Sequence, residues 1–302
     1  MICRTGLPTK RVHEIEDFCS RHKLPESFQQ TIADYYLPLA QQLLASQPNS
    51  SPLLLGINGA QGTGKSTLAD FLQIAITSRS DWNVAVLSID DFYYTKTERE
   101  ALAAKIHPLL QVRGVPGTHD MPMLSRCLNA LRKLKRGETF ALPRFNKATD
   151  DRFDESNWPH VTGPIDLIIL EGWCVGSRDQ TAAELQDPIN ALEQNEDANG
   201  AWRQFVNEKL RTEYASIFEQ IEMLVFLKAP DFDSIYRWRL QQESQLETRM
   251  SEDEVRHFIQ FFERLTRANL ETLPTVADIV YELDATHSIT NAIQAHAEGR
   301  ST

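Results

Sequence analysis

The stretch Leu53-Leu54-Leu55-Gly56-Ile57-Asn58-Gly59-Ala60-Gln61-Gly62-Thr63-Gly64-Lys65-Ser66-Thr67-Leu68-Ala69-Asp70-Phe71-Leu72 decides the fold. Its first five residues are an apolar run that reads as a buried strand. Its last six read as the start of a helix. Between them, Gly59 to Ser66 match the spacing G-x-x-x-x-G-K-[ST]. Glycines let the backbone curl so that successive N–H groups converge on phosphate oxygens. The positive end of the following helix strengthens that field. Lys65 can reach the β- and γ-phosphates, and the Ser66 hydroxyl can ligate Mg²⁺. Gly59, Ala60, Gln61, Gly62, Thr63, Gly64, Lys65, Ser66 and Thr67 are therefore expected to hold a nucleoside triphosphate.

Outward from this loop, apolar runs recur at Val84–Ile89, Ile165–Leu170, Met223–Leu227 and Ile279–Tyr281. Helical segments are expected at 26–47, 121–135, 202–220, 231–247 and 252–270. Short apolar strands alternating with helices predict a mainly parallel sheet covered by helices on both faces, an α/β three-layer sandwich. Ligands in such sheets bind at the C-terminal ends of the strands. The organisation reads as a helical N-terminal extension over 1–50 and one globular domain over 51–302, with a polar, acidic stretch near 178–200 that reads as a surface insertion or a short helix plus loop.

The chain has 302 residues, 41% of them hydrophobic and 24% charged, enough for a sizeable core. A net charge of -11 argues against a general nucleic-acid or anionic-membrane binder. The four cysteines, Cys3, Cys19, Cys127 and Cys174, form no C-x-x-C pair, and free thiols in a reducing cytoplasm are expected. The N-terminus shows no signal-peptide core, and no apolar run is long enough to span a bilayer. A monomer or homodimer is expected.

Two further strands end in carboxylates. The second leads into Asp90-Asp91-Phe92-Tyr93, the third into Glu171-Gly172-Trp173. Phosphoryl transfer needs Mg²⁺ to neutralise phosphate charge and a carboxylate to take the attacking hydroxyl's proton. Asp90 is read as that base, and Ser66, Asp90 and Glu171 as the metal-side oxygens. Lys65, Asp90, Glu171 and Arg237 form the expected catalytic set, Arg237 from a lid helix that also carries Arg239. The loop Arg113-Gly114-Val115-Pro116-Gly117-Thr118-His119-Asp120 can present Arg113 and His119 to an anionic acceptor, and Asp120 can cap the helix at 121. Arg144, Lys147 and Arg152 supply cations nearby. The acceptor-binding set is Asp91, Tyr93, Arg113, His119, Asp120, Lys147 and Arg152. A switch GTPase is disfavoured: Asp197-Ala198-Asn199-Gly200 lies in the polar insertion, and Asn146 to Asp150 miss the guanine motif by one residue.

Taken together, the phosphate loop and the D-D-F-Y and E-G strand ends resemble the P-loop NTPase kinases of small metabolites, a group with uridine kinase, phosphoribulokinase and pantothenate kinase. Within it, Arg113–Asp120, Leu142-Pro143-Arg144-Phe145-Asn146-Lys147, Glu171-Gly172-Trp173 and Trp238-Arg239-Leu240-Gln241-Gln242-Glu243 resemble the plant and cyanobacterial D-glycerate 3-kinase family and its fungal relatives. The resemblance runs from about residue 25 to the C-terminus. It implies ATP and Mg²⁺, D-glycerate as acceptor and 3-phosphoglycerate as product. The family pattern carries Tyr-Asp where this chain has Phe145-Asn146. Other acceptors within the group, or an ATP-binding protein without catalysis, are the alternatives.

Overall fold

The computed structural model describes residues 9–46, 51–244 and 250–294. The expected turn at 47–50 and the last residues of the helix expected over 231–247 lie outside them, as does Cys3.

In chain order the strands are β1 (Leu53–Gly59), β2 (Val84–Ser88), β3 (Thr139–Ala141), β4 (Phe145–Asn146), β5 (Asp151–Arg152), β6 (His160–Thr162), β7 (Leu167–Gly172), β8 (Met223–Lys228), β9 (Ile279–Leu283) and β10 (Ile289–Gln294). The helices are α1 (Thr9–Arg21), α2 (Phe28–Thr31), α3 (Leu37–Ala45), α4 (Lys65–Thr77), α5 (Lys96–Lys105), α6 (Met121–Lys133), α7 (Ala191–Glu196), α8 (Ala201–Lys209), α9 (Ala215–Phe218), α10 (Phe232–Ser244) and α11 (Glu252–Thr272). A π turn, Ile32–Tyr36, joins α2 to α3, and another, Leu210–Tyr214, joins α8 to α9.

The central sheet has the order β10-β9-β8-β1-β7-β2. All its neighbours are parallel except β10, which returns antiparallel along β9. Alternate residues of each strand face opposite sides. Leu55, Ile57, Leu167, Ile169, Val225 and Leu227 pack in one core with α1, α3, α4 and α10. Leu54, Ala85, Leu87, Ile168 and Leu170 pack in a second with α6, the α8–α9 segment and α11. This is the expected three-layer α/β sandwich. Ile15, Phe18, Tyr36, Leu39 and Leu43 of the N-terminal helices share the first core with Leu68 and Leu72 of α4.

The expected strand at 165–170 lies two residues later, because the hydrogen bonds of Asp166 to Asn83 form the entry to β7. Helix α5 was not expected, since Lys-Thr-Glu-Arg-Glu lacks an apolar stripe; a Thr95–Glu98 capping box starts it. The 178–200 segment holds the short helix α7 between loops, and part of it is buried. Glu193 and Asp197 are fully buried, matched by Arg264 and Arg203 at 2.6 and 2.9 Å. Paired in this way, acidic residues enter the interior.

Candidate active site

Three parallel strands, β2, β7 and β1, end side by side, and their extensions build the site. The phosphate loop leaves β1 and turns into α4 at Gly64, whose φ of 88° puts it in the left-handed region. Trp238 of α10 closes over Gly62, where an added Cβ would lie 3.0 Å from the Trp238 Cβ. His287 Nδ1–H donates to the Gly62 carbonyl at 3.0 Å, and its ring stacks on Trp238 at 4.3 Å. The helix after β8 and the β9–β10 turn therefore brace the loop from outside.

Beside the loop, Ser66 Oγ donates to Glu171 Oε1 at 2.9 Å. Glu171 is only 5% exposed, and its Oε2 is buried without a hydrogen-bond partner. An orphaned carboxylate oxygen next to a serine hydroxyl, at the mouth of a phosphate loop, is a hard-oxygen set suited to Mg²⁺. Among the described residues no group of three or more His, Cys, Asp or Glu side chains could hold a metal. The set fits an ion whose other ligands are phosphates and water.

Beyond Glu171, a 3-10 turn (Ile89–Phe92) carries Asp90 and Asp91 off β2. Asp90 Oδ1 accepts from the Tyr93 hydroxyl at 2.9 Å and Oδ2 from Lys147 Nζ at 2.7 Å. Burial pushes the Asp90 pKa up, but the Lys147 and Lys65 ammoniums outweigh it and hold it at about 2. Burial lowers the Lys147 pKa, yet Asp90 and Glu171 leave it raised. Asp91 turns the other way: its oxygens take the Phe145 N–H and Arg144, both at 3.1 Å. It anchors the β4–β5 hairpin that carries Lys147.

The loop at 113–120 is stitched to this edge. Asp120 N–H donates to Phe92 O, Tyr94 N–H to Thr118 O, and Trp173 Nε1–H to Gly114 O. His119 stacks on Tyr93 with ring centroids 4.4 Å apart. Its Nδ1 lies 2.6 Å from the Tyr214 hydroxyl, which accepts from Gly117 N–H and so turns its own hydrogen to the imidazole. His119 is completely buried, and burial pushes its pKa down to about 4. The neutral ring then carries its hydrogen on Nε2, a buried atom with no partner. Arg113 pairs with Asp150 and lies over the Phe145 ring.

The structure thus brings Lys65, Ser66, Asp90, Tyr93, Arg113, His119, Lys147 and Glu171 together. Asp120 and Arg152 are held in the scaffold. Asp120 caps α6 through Met123 N–H at 2.8 Å, and Arg152 bonds Asp120 and the Tyr93 carbonyl. Arg237 is not brought in: it is 59% exposed and donates to Ser234 on its own helix. Arg239 instead pairs with Glu243 over Phe258, which packs on Phe262 beneath Gly114. Sequence reasoning missed Tyr214, Asp150 and the buried Arg99. Arg99 and Asp150 form a pair at 2.8 Å across 51 residues, and no local pattern marks it.

A phosphate loop, a buried carboxylate beside it and a second carboxylate facing a cationic pocket define a P-loop phosphotransferase. No family model matches the chain. It is 38% identical over 228 residues to the uncharacterized kinase mug58 of Schizosaccharomyces pombe, covering 72% of this chain and 80% of that protein. It is 35% identical over 237 residues to the chloroplastic D-glycerate 3-kinase of Arabidopsis thaliana, covering 74% of this chain and 48% of the plant protein. The chain thus spans about half the length of that relative. The D-glycerate 3-kinase of Cryptococcus neoformans superposes with a TM-score of 0.71 at 25% identity, over 90% of this chain and all of that one. The chain belongs to the family of P-loop small-molecule kinases that contains these relatives, and it is an ATP-dependent small-molecule kinase. No described helix is long and apolar enough to cross a membrane.

Proposed function

We propose that this kinase phosphorylates the primary hydroxyl of D-glycerate, giving 3-phosphoglycerate. The observation that carries the reading is the cluster of Asp90, Lys147, Arg113 and neutral His119 at the ends of β2 and β7, beside the phosphate loop. A small hydroxy acid needs a base for its hydroxyl and cations for its carboxylate, and this edge offers both. The similarity to D-glycerate 3-kinases supports the choice among acids of that size.

In this reading the phosphate loop and Lys65 hold the triphosphate. Ser66 and Glu171 would hold Mg²⁺, which when bound neutralises phosphate charge. Asp90 orients the acceptor hydroxyl and takes its proton. The hydroxyl oxygen bonds to the γ-phosphorus while the β–γ bridging P–O bond breaks, its electron pair leaving on ADP. Arg113 and Lys147 hold the carboxylate, and His119 Nε2–H is a further donor toward the acceptor. Arg239, rather than Arg237, is the lid arginine that would stabilise charge on the transferring group. Asp120, Arg152 and Asp91 support this site without touching the acceptor. The buried thiols of Cys19, Cys127 and Cys174 suit a reducing compartment such as the cytoplasm.

The test is an acceptor panel with ATP and Mg²⁺: D-glycerate, L-glycerate, glycerol, pantothenate, uridine and a sugar phosphate, read by ADP release and product mass. The reading expects D-glycerate to give the highest kcat/KM, with 3-phosphoglycerate as product. Turnover of another acceptor with none for D-glycerate overturns it.

A further inference from the structure

We propose that Lys147 changes partners during turnover: it holds Asp90 until the acceptor arrives, then moves to the acceptor's carboxylate, and this move alone opens Asp90 to the acceptor hydroxyl. The proposal deepens the hydroxy-acid kinase reading and rests on it. Lys147 then works as a positioning residue that makes the carboxylate a condition for catalysis.

The two oxygens of Asp90 have unlike partners. Oδ1 receives the Tyr93 hydroxyl, and Tyr93 is 4% exposed, its ring stacked on His119 and meeting Phe145 edge-on at 5.3 Å. That partner is fixed by packing. Oδ2 receives Lys147 Nζ, on a side chain 61% exposed. A hydroxyl that must give its proton to Asp90 displaces the exposed ammonium far more readily than the buried phenol.

The backbone under Lys147 does not move with it. Phe145 N–H is tied to Asp91, Phe145 and Asn146 pair with Arg152 and Asp151, and Asp150 takes both Arg99 and Arg113. Only the flexible four-carbon stem of Lys147 is left to swing. Asp90 is the mostly buried partner and Lys147 the exposed one, so the cost of leaving Asp90 is offset only when another carboxylate receives the ammonium and the acceptor hydroxyl takes its place on Oδ2. The exchange does require an anion. Arg113 spends one N–H group on Asp150 and retains donors that can hold the incoming carboxylate beside Lys147.

A neutral polyol, or water, offers no anion, and the ammonium stays on Asp90. The same device restrains wasteful hydrolysis. In that side reaction a water oxygen bonds to the γ-phosphorus, the β–γ bridging P–O bond breaks with its electron pair leaving on ADP, and the water proton passes through Asp90 to solvent. Lys147 on Asp90 denies water its base.

The experiment compares wild type with Lys147→Met, which keeps length and removes the charge, and with Lys147→Gln should the first fold poorly. Three rates are read: D-glycerate phosphorylation, glycerol phosphorylation and ATP hydrolysis without acceptor. Nucleotide affinity serves as the folding control. The proposal expects kcat/KM for D-glycerate to fall at least about tenfold, while glycerol turnover and acceptor-free hydrolysis rise about three- to tenfold. If glycerol turnover and hydrolysis stay flat or fall with glycerate turnover, Lys147 only binds the carboxylate and the proposal is overturned. The hydrolysis arm needs no acceptor, so it decides on Lys147 even if wild type makes no 3-phosphoglycerate, a result that would overturn the acceptor assignment instead.

Discussion

Replacing Glu171 with Gln separates the site's function from its stability, because the two should move in opposite directions. The substitution keeps side-chain volume and lets the amide oxygen keep the Ser66 hydrogen bond of 2.9 Å. It removes one negative charge from a side chain 5% exposed, whose second oxygen is buried without a partner. A buried carboxylate left half-satisfied costs several kcal/mol, against about 1–3 kcal/mol for the unsatisfied amide that replaces it. The nearby Lys147 ammonium, which feels the Glu171 charge, offsets part of that difference. The nucleotide-free variant should therefore be as stable as wild type or more stable by about 1–2 kcal/mol, a rise of up to roughly 2–3 °C in Tm. Function should go the other way. Losing an ion-holding carboxylate weakens Mg²⁺ about 10–100-fold, and kcat should fall at least about a hundredfold. Urea unfolding without nucleotide, paired with Mg²⁺ titration of the kinase rate, reads both quantities. A variant that loses stability and activity together, or keeps its Mg²⁺ dependence, would refute the reasoning.

His119 makes stability pH-dependent in one window. Burial lowers its folded-state pKa to about 4 from 6.5, so as pH falls the unfolded chain takes up the proton first. Its contribution is complete above about pH 6.5 and is lost on the way down to pH 4, by about 2 kcal/mol already at pH 5. Urea midpoints for wild type and His119→Gln at pH 7 and pH 5 should differ in slope by that amount, and equal slopes contradict it. Gly114→Ala places a Cβ 2.6 Å from Phe262 Cζ at a φ of +138°. It should cost about 2–4 kcal/mol in urea unfolding, with partial recovery when Phe262→Leu is added; a neutral effect would mean the loop moves freely. Arg239→Ala should lower kcat about a hundredfold and Arg237→Ala by less than about twofold. The reverse order would restore Arg237 to the site.

The parts of the structure carried by short-range patterns were legible in the chain. The strand, glycine loop and helix over residues 53–72 are contiguous, so local chemistry alone determines them. Alternating apolar strands gave the parallel sheet, and strand-end carboxylates gave Asp90 and Glu171, because a parallel sheet gathers its C-terminal ends on one edge. What was hidden is long-range. Whether Arg152 faces the acceptor or the scaffold depends on Asp120, Glu98 and the Tyr93 carbonyl, none adjacent in sequence. Arg237 and Arg239 are two residues apart on one helix, about 200° around its axis, and only the packing of Trp238 on Gly62 sets which one turns inward. Glu193 and Asp197 looked like surface charges because their partners, Arg264 and Arg203, announce nothing in the sequence. β10 was missed because its residues are mostly exposed and show no apolar run.

The central claim is that the strand-end carboxylate Asp90 serves a hydroxyl attacking the γ-phosphate held by the neighbouring loop. Rapid-quench single turnover with enzyme-bound ATP, Mg²⁺ and saturating D-glycerate, comparing wild type with Asp90→Asn, tests it most directly. The account predicts that the chemical step falls about 10²–10⁴-fold while ATP affinity stays within about threefold. A variant that still transfers the phosphoryl group at close to the wild-type rate would contradict it.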